Sequence, residues 1–240
     1  METLMVFAKA PVPGRVKTRL KLDPDDAAAL HSAFVRDVVE RHANEKRRMV
    51  VYRAGDLDHP FWPTLDLTLA ECCASSDLGE RMQRAFEAEF AKSDNPDDAR
   101  IVVIGSDSPT LPPSIVDEAF RRLDKGCRVV IGPACDGGYY LLGMRGGRSE
   151  SGLPKRIFQS GMPWGTCDVL AMTLERLAAD EKKDEPAIVY ELLEFWYDVD
   201  RPEDLRMVRA HANALSAKGV PLPRRTLELL AGRGTAWGAR

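Results

Sequence analysis

Arg100-Ile101-Val102-Val103-Ile104-Gly105-Ser106-Asp107-Ser108-Pro109 is an apolar run that stops at a glycine and delivers an aspartate. Four consecutive β-branched residues, 101–104, are what a parallel strand buried on both faces requires. Gly105 to Pro109 breaks the run and leads towards a helix over 112–124. In open α/β sheets ligands bind beyond the carboxyl ends of strands, so Asp107 stands where a ligand or metal would be. An Asp at such a place also serves as a turn or helix cap. A second apolar run, 128–132, is followed by Asp136-Gly137-Gly138 and a further extended segment, 139–144. An acid turn at two successive strand ends favours a site over a cap.

Towards the N-terminus the pattern predicts a strand at 3–8, a helix at 24–44 and a strand at 48–53, which is a βαβ start. A short strand at 68–72 follows. The helix at 78–92 has Asp77 as its N-cap and Met82, Phe86 and Phe90 on one face, turned to the sheet. Towards the C-terminus come an amphipathic helix at 167–183 and a segment at 187–200 holding a strand that ends in Tyr197-Asp198-Val199-Asp200. Arg201-Pro202-Glu203-Asp204 opens another helix, with Pro and acids in its first turn. After Ser216 the chain turns basic, with Lys218, Arg224, Arg225, Arg233 and Arg240 against Glu228. This gives a domain over 1–216 and a peripheral tail over 217–240 with room for one short helix. The tail could cover a neighbouring subunit of a homodimer as readily as its own sheet.

At 240 residues the chain suits one α/β domain with a full core. Its formal charge of -3 gives no overall attraction to nucleic acid. The apolar runs are too short to span a bilayer. The opening METLMVFAKAP carries no basic leader before a small-residue cleavage site, which points to a cytoplasmic protein. Five cysteines follow no zinc-like spacing and read as reduced thiols. The four histidines, His31, His42, His59 and His211, show no ligand spacing, and no Ser-His-Asp or Cys-His pattern supports a hydrolase.

The first strand runs into Lys9-Ala10-Pro11-Val12-Pro13-Gly14-Arg15-Val16-Lys17-Thr18-Arg19. Lys9, Arg15, Lys17 and Arg19 can neutralise a diphosphate, and Gly14 lets the backbone approach it. A solvated basic loop would carry the same residues. The spacing is neither a Walker A loop nor the GxGxxG fingerprint. Between a basic loop and strand-end acids a hard divalent cation, Mg²⁺ or Mn²⁺, is the expected cofactor. Asp107 is its first ligand. Asp198 and Asp200, two apart in an extended segment, offer a second, although either can cap the following helix. Asp136, before Gly137-Gly138-Tyr139-Tyr140, suits a sugar hydroxyl or a general base. Trp164 fits an acceptor pocket or a packed loop, and Arg81 fits a phosphate, a base or solvent.

FAKAPVPGRVKTRL (7–20), SDLGERM (76–82), IGSDSP (104–109), GPACDGGYYLLG (132–143), MPWGTCDVL (162–170) and DVDRPEDL (198–205) occur in this order. Together they resemble the DUF2064 group, provisionally assigned as glycosyltransferases and related to the nucleotidyltransferases that guanylylate phospholactate or molybdopterin. The resemblance implies a single GT-A, Rossmann-like nucleotide-diphospho-sugar transferase domain with a mostly parallel sheet flanked by helices. It places the nucleotide on Gly14, Arg15, Lys17 and Arg19, the metal at Asp107, and Asp136 in the acceptor or catalytic region. The chain departs from the group in having Cys72-Cys73-Ala74-Ser75-Ser76 where a Gln and Gly are usual, and Arg201 where Thr is usual. Asp107 also has no second Asp two residues away.

These readings lead to a metal-dependent glycosyltransferase acting on a nucleotide sugar and a small-molecule acceptor. Asp136 and Asp198 are its catalytic candidates; Lys9, Gly14, Arg15, Lys17, Arg19 and Arg81 bind nucleotide. Gly137, Gly138, Tyr139 and Trp164 meet substrate, and Asp107 and Asp200 hold metal. A nucleotidyltransferase that joins a nucleoside triphosphate to a phosphorylated small molecule uses the same parts, and a non-catalytic nucleotide-binding protein would keep the loop alone.

Overall fold

The first strand, β1 (Glu2–Lys9), sorts its side chains by the two-residue period of a strand. Leu4, Val6 and Ala8 enter one apolar cluster, while Met5 and Phe7 enter another on the opposite face. A strand buried on both sides must lie in the middle of a layered sheet, and in the computed structural model β1 does. The structure describes residues 1–75, 77–146, 155–178 and 189–232.

After β1 come α1 (Pro24–His42), β2 (Arg48–Ala54), β3 (Thr68–Glu71), α2 (Leu78–Phe90) and β4 (Arg100–Gly105). The chain continues with α3 (Pro113–Asp124), β5 (Val129–Pro133), β6 (Tyr139–Arg145), α4 (Val169–Ala178), β7 (Tyr190–Leu192), α5 (Pro202–Ala217) and α6 (Arg224–Gly232). The seven strands stand in the order β3-β2-β1-β4-β6-β5-β7. Every pairing is parallel except the two made by β6, which runs against β4 and β5. The chain lays β2 and β3 on one side of β1 and returns to place β4 on the other. The carboxyl ends of β1 and β4 therefore flank a topological switch point, where such sheets leave a crevice.

Local chemistry fixes the helices that cover the sheet. Asp23 caps α1 by accepting from Asp25 N at 3.0 Å, with Pro24 at the first position. Asp77 caps α2 by accepting from Glu80 N at 2.8 Å. Val35, Val38 and Val39 of α1 and Ile115, Val116, Ala119 and Phe120 of α3 pack on one face of the sheet. Met82, Phe86 and Phe90 of α2 and Leu177 of α4 pack on the other.

A third cluster lies beside α1. It joins Leu20, Leu30 and Phe34 to Tyr197 and Val199, to Leu205 and Val208 of α5, and to Leu230 of α6. Helix α6, within the basic stretch after Ser216, is held at its start by Asp37 of α1, which accepts from Arg225 N at 3.1 Å and Thr226 N at 2.8 Å.

Two elements are shorter than the sequence pattern indicates. Among the described residues of the stretch 187–200, which start at 189, only Tyr190–Leu192 is a strand, followed by one bridge from Trp196 to Ala134; beyond it the chain leaves the sheet so that Tyr197 and Val199 can enter the third cluster. The helix expected from 167 begins at Val169, because Cys167 and Asp168 lie in a turn in which Thr166 Oγ1 accepts from Asp168 N. Residues 179–183 of that helix, 187 and 188, and Arg233 and Arg240 fall outside the described residues. All five cysteines are free thiols. Among the described residues no helix is long and apolar enough to cross a membrane.

Candidate functional site

At the switch point a cleft of about 480 Å³ opens between the loop after β1, the end of β4 and the start of α2. Lys9, Arg15, Lys17, Arg19, Arg81, Asp107 and Asp200 all line it. Four cations of the basic loop thus face a strand-end acid and a second acid that lies 93 residues further along the chain. Gly14 is absent from the lining; its φ of +74° shapes the loop, and a Cβ there would meet nothing within 4 Å.

Lys17 is the centre of the arrangement. Its backbone takes the left-handed conformation, φ 50°, which is uncommon for a lysine and marks a conformation the surroundings enforce. Its side chain is 3% exposed. The ammonium stands 2.7 Å from Asp107 Oδ1, donates to Asp200 Oδ1 at 2.9 Å and to Val199 O at 2.8 Å, and lies over the Phe34 ring. Burial lowers the Lys17 pKa, but Asp107 and Asp200 raise it further, and the net shift is upward. For Asp107 burial pushes upward, and Lys17, with help from Lys9, reverses this and holds the carboxyl below its usual range. Both groups are therefore charged at neutral pH.

The two acid segments are tied through the backbone as well, since Val199 N donates to Asp107 O at 2.9 Å. Asp198 points to a different partner from Asp200. It accepts from the Ser108 hydroxyl, and burial, opposed by that bond and aided by the negative Asp107 and Asp136, pushes its pKa up to about 6. Asp204 holds the following turn by accepting from Asp200 N at 2.9 Å and Arg201 N at 2.7 Å.

Asp136, Gly137, Gly138, Tyr139 and Trp164 lie outside the lining of the cleft. They form a neighbouring group. Asp136 Oδ1 accepts from Gly138 N at 2.9 Å, and Gly137, at φ +90°, sits so close to the next loop that a Cβ would lie 2.2 Å from Cys167 O. Trp164 packs against Gly79 of α2 and edge-on against the Tyr139 ring. Trp164 therefore seats its own loop, after β6, against α2 and the start of β6. Burial raises the Tyr139 pKa, so its hydroxyl stays protonated.

His31 joins the site although its spacing in the sequence gives no hint of a ligand. It is on the inward stripe of α1, with Ala27, Leu30, Phe34 and Val35 also buried there, and that stripe was the available signal. His31 Nε2 lies 3.1 Å from Lys9 O, and a carbonyl can only accept, so Nε2 carries the proton. Burial is the main cause that lowers its pKa, and the ring is neutral. Its Nδ1 is then a bare acceptor. It lies 3.8 Å from Asp107 Oδ1 and finds no hydrogen-bond partner among the described residues. Ser108, the donor to Asp198, was likewise visible only as a neighbour of Asp107.

The fit of a divalent ion can be judged from these atoms. Asp107 Oδ1 is buried and has an ion pair but no aligned hydrogen bond among the described residues. With Asp200, the Val199 carbonyl and His31 Nδ1 it makes a hard, oxygen-rich donor set that suits Mg²⁺ or Mn²⁺. Among the described residues no three His, Cys, Asp or Glu side chains already converge as metal ligands. The Lys17 ammonium stands between the two carboxylates.

Residues 37–166 match the family described as "Uncharacterized protein conserved in bacteria (DUF2064)". The chain belongs to the DUF2064 family. It is 31% identical to a Desulfovibrio desulfuricans G20 protein provisionally assigned as a nucleotide-diphospho-sugar transferase, with a TM-score of 0.80 over 97% of this chain and 94% of that one. A CMP:2-keto-3-deoxy-manno-octonic acid synthetase bound to CTP is 14% identical, with a TM-score of 0.50 over 88% of this chain and 97% of that one. A 4-diphosphocytidyl-2C-methyl-D-erythritol synthase from Anaerococcus prevotii is 10% identical, with a TM-score of 0.51 over the same shares. No curated protein matches the chain. The DUF2064 chain thus has the nucleotide-diphospho-sugar transferase fold, shared by glycosyl- and nucleotidyltransferases.

Proposed function

We propose that this protein is a metal-dependent glycosyltransferase that takes a nucleotide-diphospho-sugar as donor and a small molecule as acceptor, in the cytoplasm, using a catalytic unit over 1–216. The reading is carried by one observation: the basic loop after β1 and the acids Asp107 and Asp200 line a single cleft at the switch point of the sheet. Lys9, Arg15 and Arg19 would grip the diphosphate, and Gly14 sets the turn that presents them. Arg81, which also lines the cleft, would reach a phosphate or the base. Asp107 and Asp200 would hold Mg²⁺ or Mn²⁺, whose contribution is to offset charge on the departing diphosphate.

On the acceptor side, Asp198 is half-buried with a pKa near 6, so it is mostly ionised at neutral pH yet still basic enough to take a proton from a hydroxyl. Asp136 is the alternative base. The Gly137-Gly138 turn, Tyr139 and Trp164 would shape the acceptor's approach.

A nucleotidyltransferase that releases pyrophosphate is the second reading, favoured by the two fold relatives whose names describe cytidylyl products. One assay separates them. The protein is first screened by thermal shift against nucleoside diphosphates, triphosphates and nucleotide sugars, each with Mn²⁺ or chelator, because a ligand that binds only the folded state raises its stability. Metal-dependent stabilisation by a diphosphate and its sugar conjugates, followed by release of that diphosphate, supports glycosyl transfer. Preference for a triphosphate with pyrophosphate release replaces it by nucleotidyl transfer. Stabilisation by nucleotide without any metal effect or turnover leaves a binding protein.

A further inference from the structure

We propose that the Lys17 ammonium is a built-in placeholder for the divalent cation: it pairs with Asp107 and Asp200 in the free protein and yields its place only when a diphosphate arrives to receive it. The proposal rests on the metal-dependent reading above and adds a rule to it, that metal and diphosphate bind as a pair and the metal alone binds poorly.

The geometry is that of a cation hole filled from within. Three oxygens, from Asp107, Asp200 and the Val199 carbonyl, stand within 2.7–2.9 Å of one nitrogen, and the side chain that carries it is 3% exposed. The fit of the ammonium is incomplete. Among the described residues the ammonium is the one polar contact of Asp107 Oδ1, and His31 Nδ1, without a hydrogen-bond partner there, lies 3.8 Å from the same oxygen. Two buried acceptors facing each other ask for more positive charge than a single ammonium supplies, and a divalent ion would satisfy both.

Metal and ammonium cannot use Asp107 Oδ1 and Asp200 Oδ1 together without severe like-charge repulsion. Entry of the metal therefore requires that Lys17 leave. A buried ammonium that loses two carboxylates and a carbonyl must find another anion, since an unpaired buried charge is very costly. The cleft provides a place for one. Arg15, Arg19 and Lys9 line it beside Lys17, and a diphosphate held by them would lie within the reach of the same four-carbon stem. The left-handed backbone at Lys17 holds its side chain inward, towards the acids, while the flanking Arg15 and Arg19 remain at the surface.

The test measures Mn²⁺ binding directly, by the electron paramagnetic resonance signal of free Mn²⁺, for the full chain and for Lys17→Met and Lys17→Gln. The glutamine variant keeps a polar end and serves if the methionine variant does not fold. The wild type should bind Mn²⁺ alone at least tenfold more weakly than either variant. Mn²⁺ alone should raise the melting temperature of the variants and leave that of the wild type nearly unchanged. If wild type and variants bind Mn²⁺ equally, the placeholder is wrong although the metal reading survives. If none of them binds Mn²⁺, with or without UDP, GDP or CDP, both fall together. Tight Mn²⁺ binding by the free wild type, unaffected by those diphosphates, overturns the placeholder without reference to any variant.

Discussion

Lys17 and Asp107 are each half of an arrangement that neither could hold alone. A lysine ammonium buried without a partner would tend to deprotonate, and burial also works against the charge of the half-buried Asp107. Here each keeps the other charged, and the shifts of both are directed towards the ionised form. Replacing Asp107 by Asn removes one anchor of the ammonium and the metal's proposed ligand at once, while keeping the side chain's size. The expected outcome is a loss of about 10²–10³-fold in turnover, the scale typical for removing one group that stabilises transition-state charge. The Mn²⁺-dependent part of any thermal shift by a nucleoside diphosphate should vanish with it. Unchanged metal dependence in Asp107→Asn would take Asp107 out of the metal site.

At the scale of elements, the strands were easy to read and their neighbours were not. The β-branched run at 101–104 and the alternation in β1 announce buried strands by composition alone, and Asp23-Pro24 and Asp77 announce helix starts by their capping chemistry. Nothing local states that β6 inserts, reversed, between β4 and β5, because that choice is made by side-chain packing between segments far apart in sequence. The same limit applied to the site. Asp107 and the basic loop were visible as strand-end features, whereas His31 was hidden by its membership of an apolar helix stripe. The inward turn of Lys17 depends on a backbone angle that the residue type disfavours.

One helix-to-strand contact provides a stability test that is independent of the site. Glu89 of α2 is fully buried and pairs with Arg48, Lys92 and the Tyr52 hydroxyl. Burial pushes its pKa up, but bonds from Lys92, Arg48 and Tyr52 outweigh this and the net shift is downward. A carboxyl with a depressed folded pKa contributes stability above its unfolded value, near 4.3, and loses it as pH falls through the folded one. Glu89→Gln should therefore cost about 1.5–3 kcal/mol at pH 7, the range for a lost charged hydrogen bond. In urea unfolding the gap between the two proteins should close below about pH 4. A gap independent of pH would mean that shape, and not charge, is what Glu89 supplies.

Over the whole molecule, the third cluster is what brings the two halves of the site together. Leu20 lies three residues after Lys17, and Val199 stands between Asp198 and Asp200; both are buried in this cluster with Phe34, over whose ring the ammonium sits. Leu230 of α6 completes it at 1% exposure, so a helix near the C-terminus is part of what seats the basic loop against the acids. Leu230→Ala should cost about 2–5 kcal/mol, as buried leucine truncations do. Leu123→Ala, in the α1–α3 side of the core and also fully buried, should cost a similar amount. The two variants differ in what else they change. Loosening the third cluster lets the Lys17 loop drift from Asp200, so Leu230→Ala should bind nucleoside diphosphate at least several-fold more weakly than Leu123→Ala when both are measured by calorimetry well below their melting temperatures. Equal affinities in the two would show that α6 stabilises the fold without setting the site, and the basic stretch after residue 216 would then be peripheral to the chemistry.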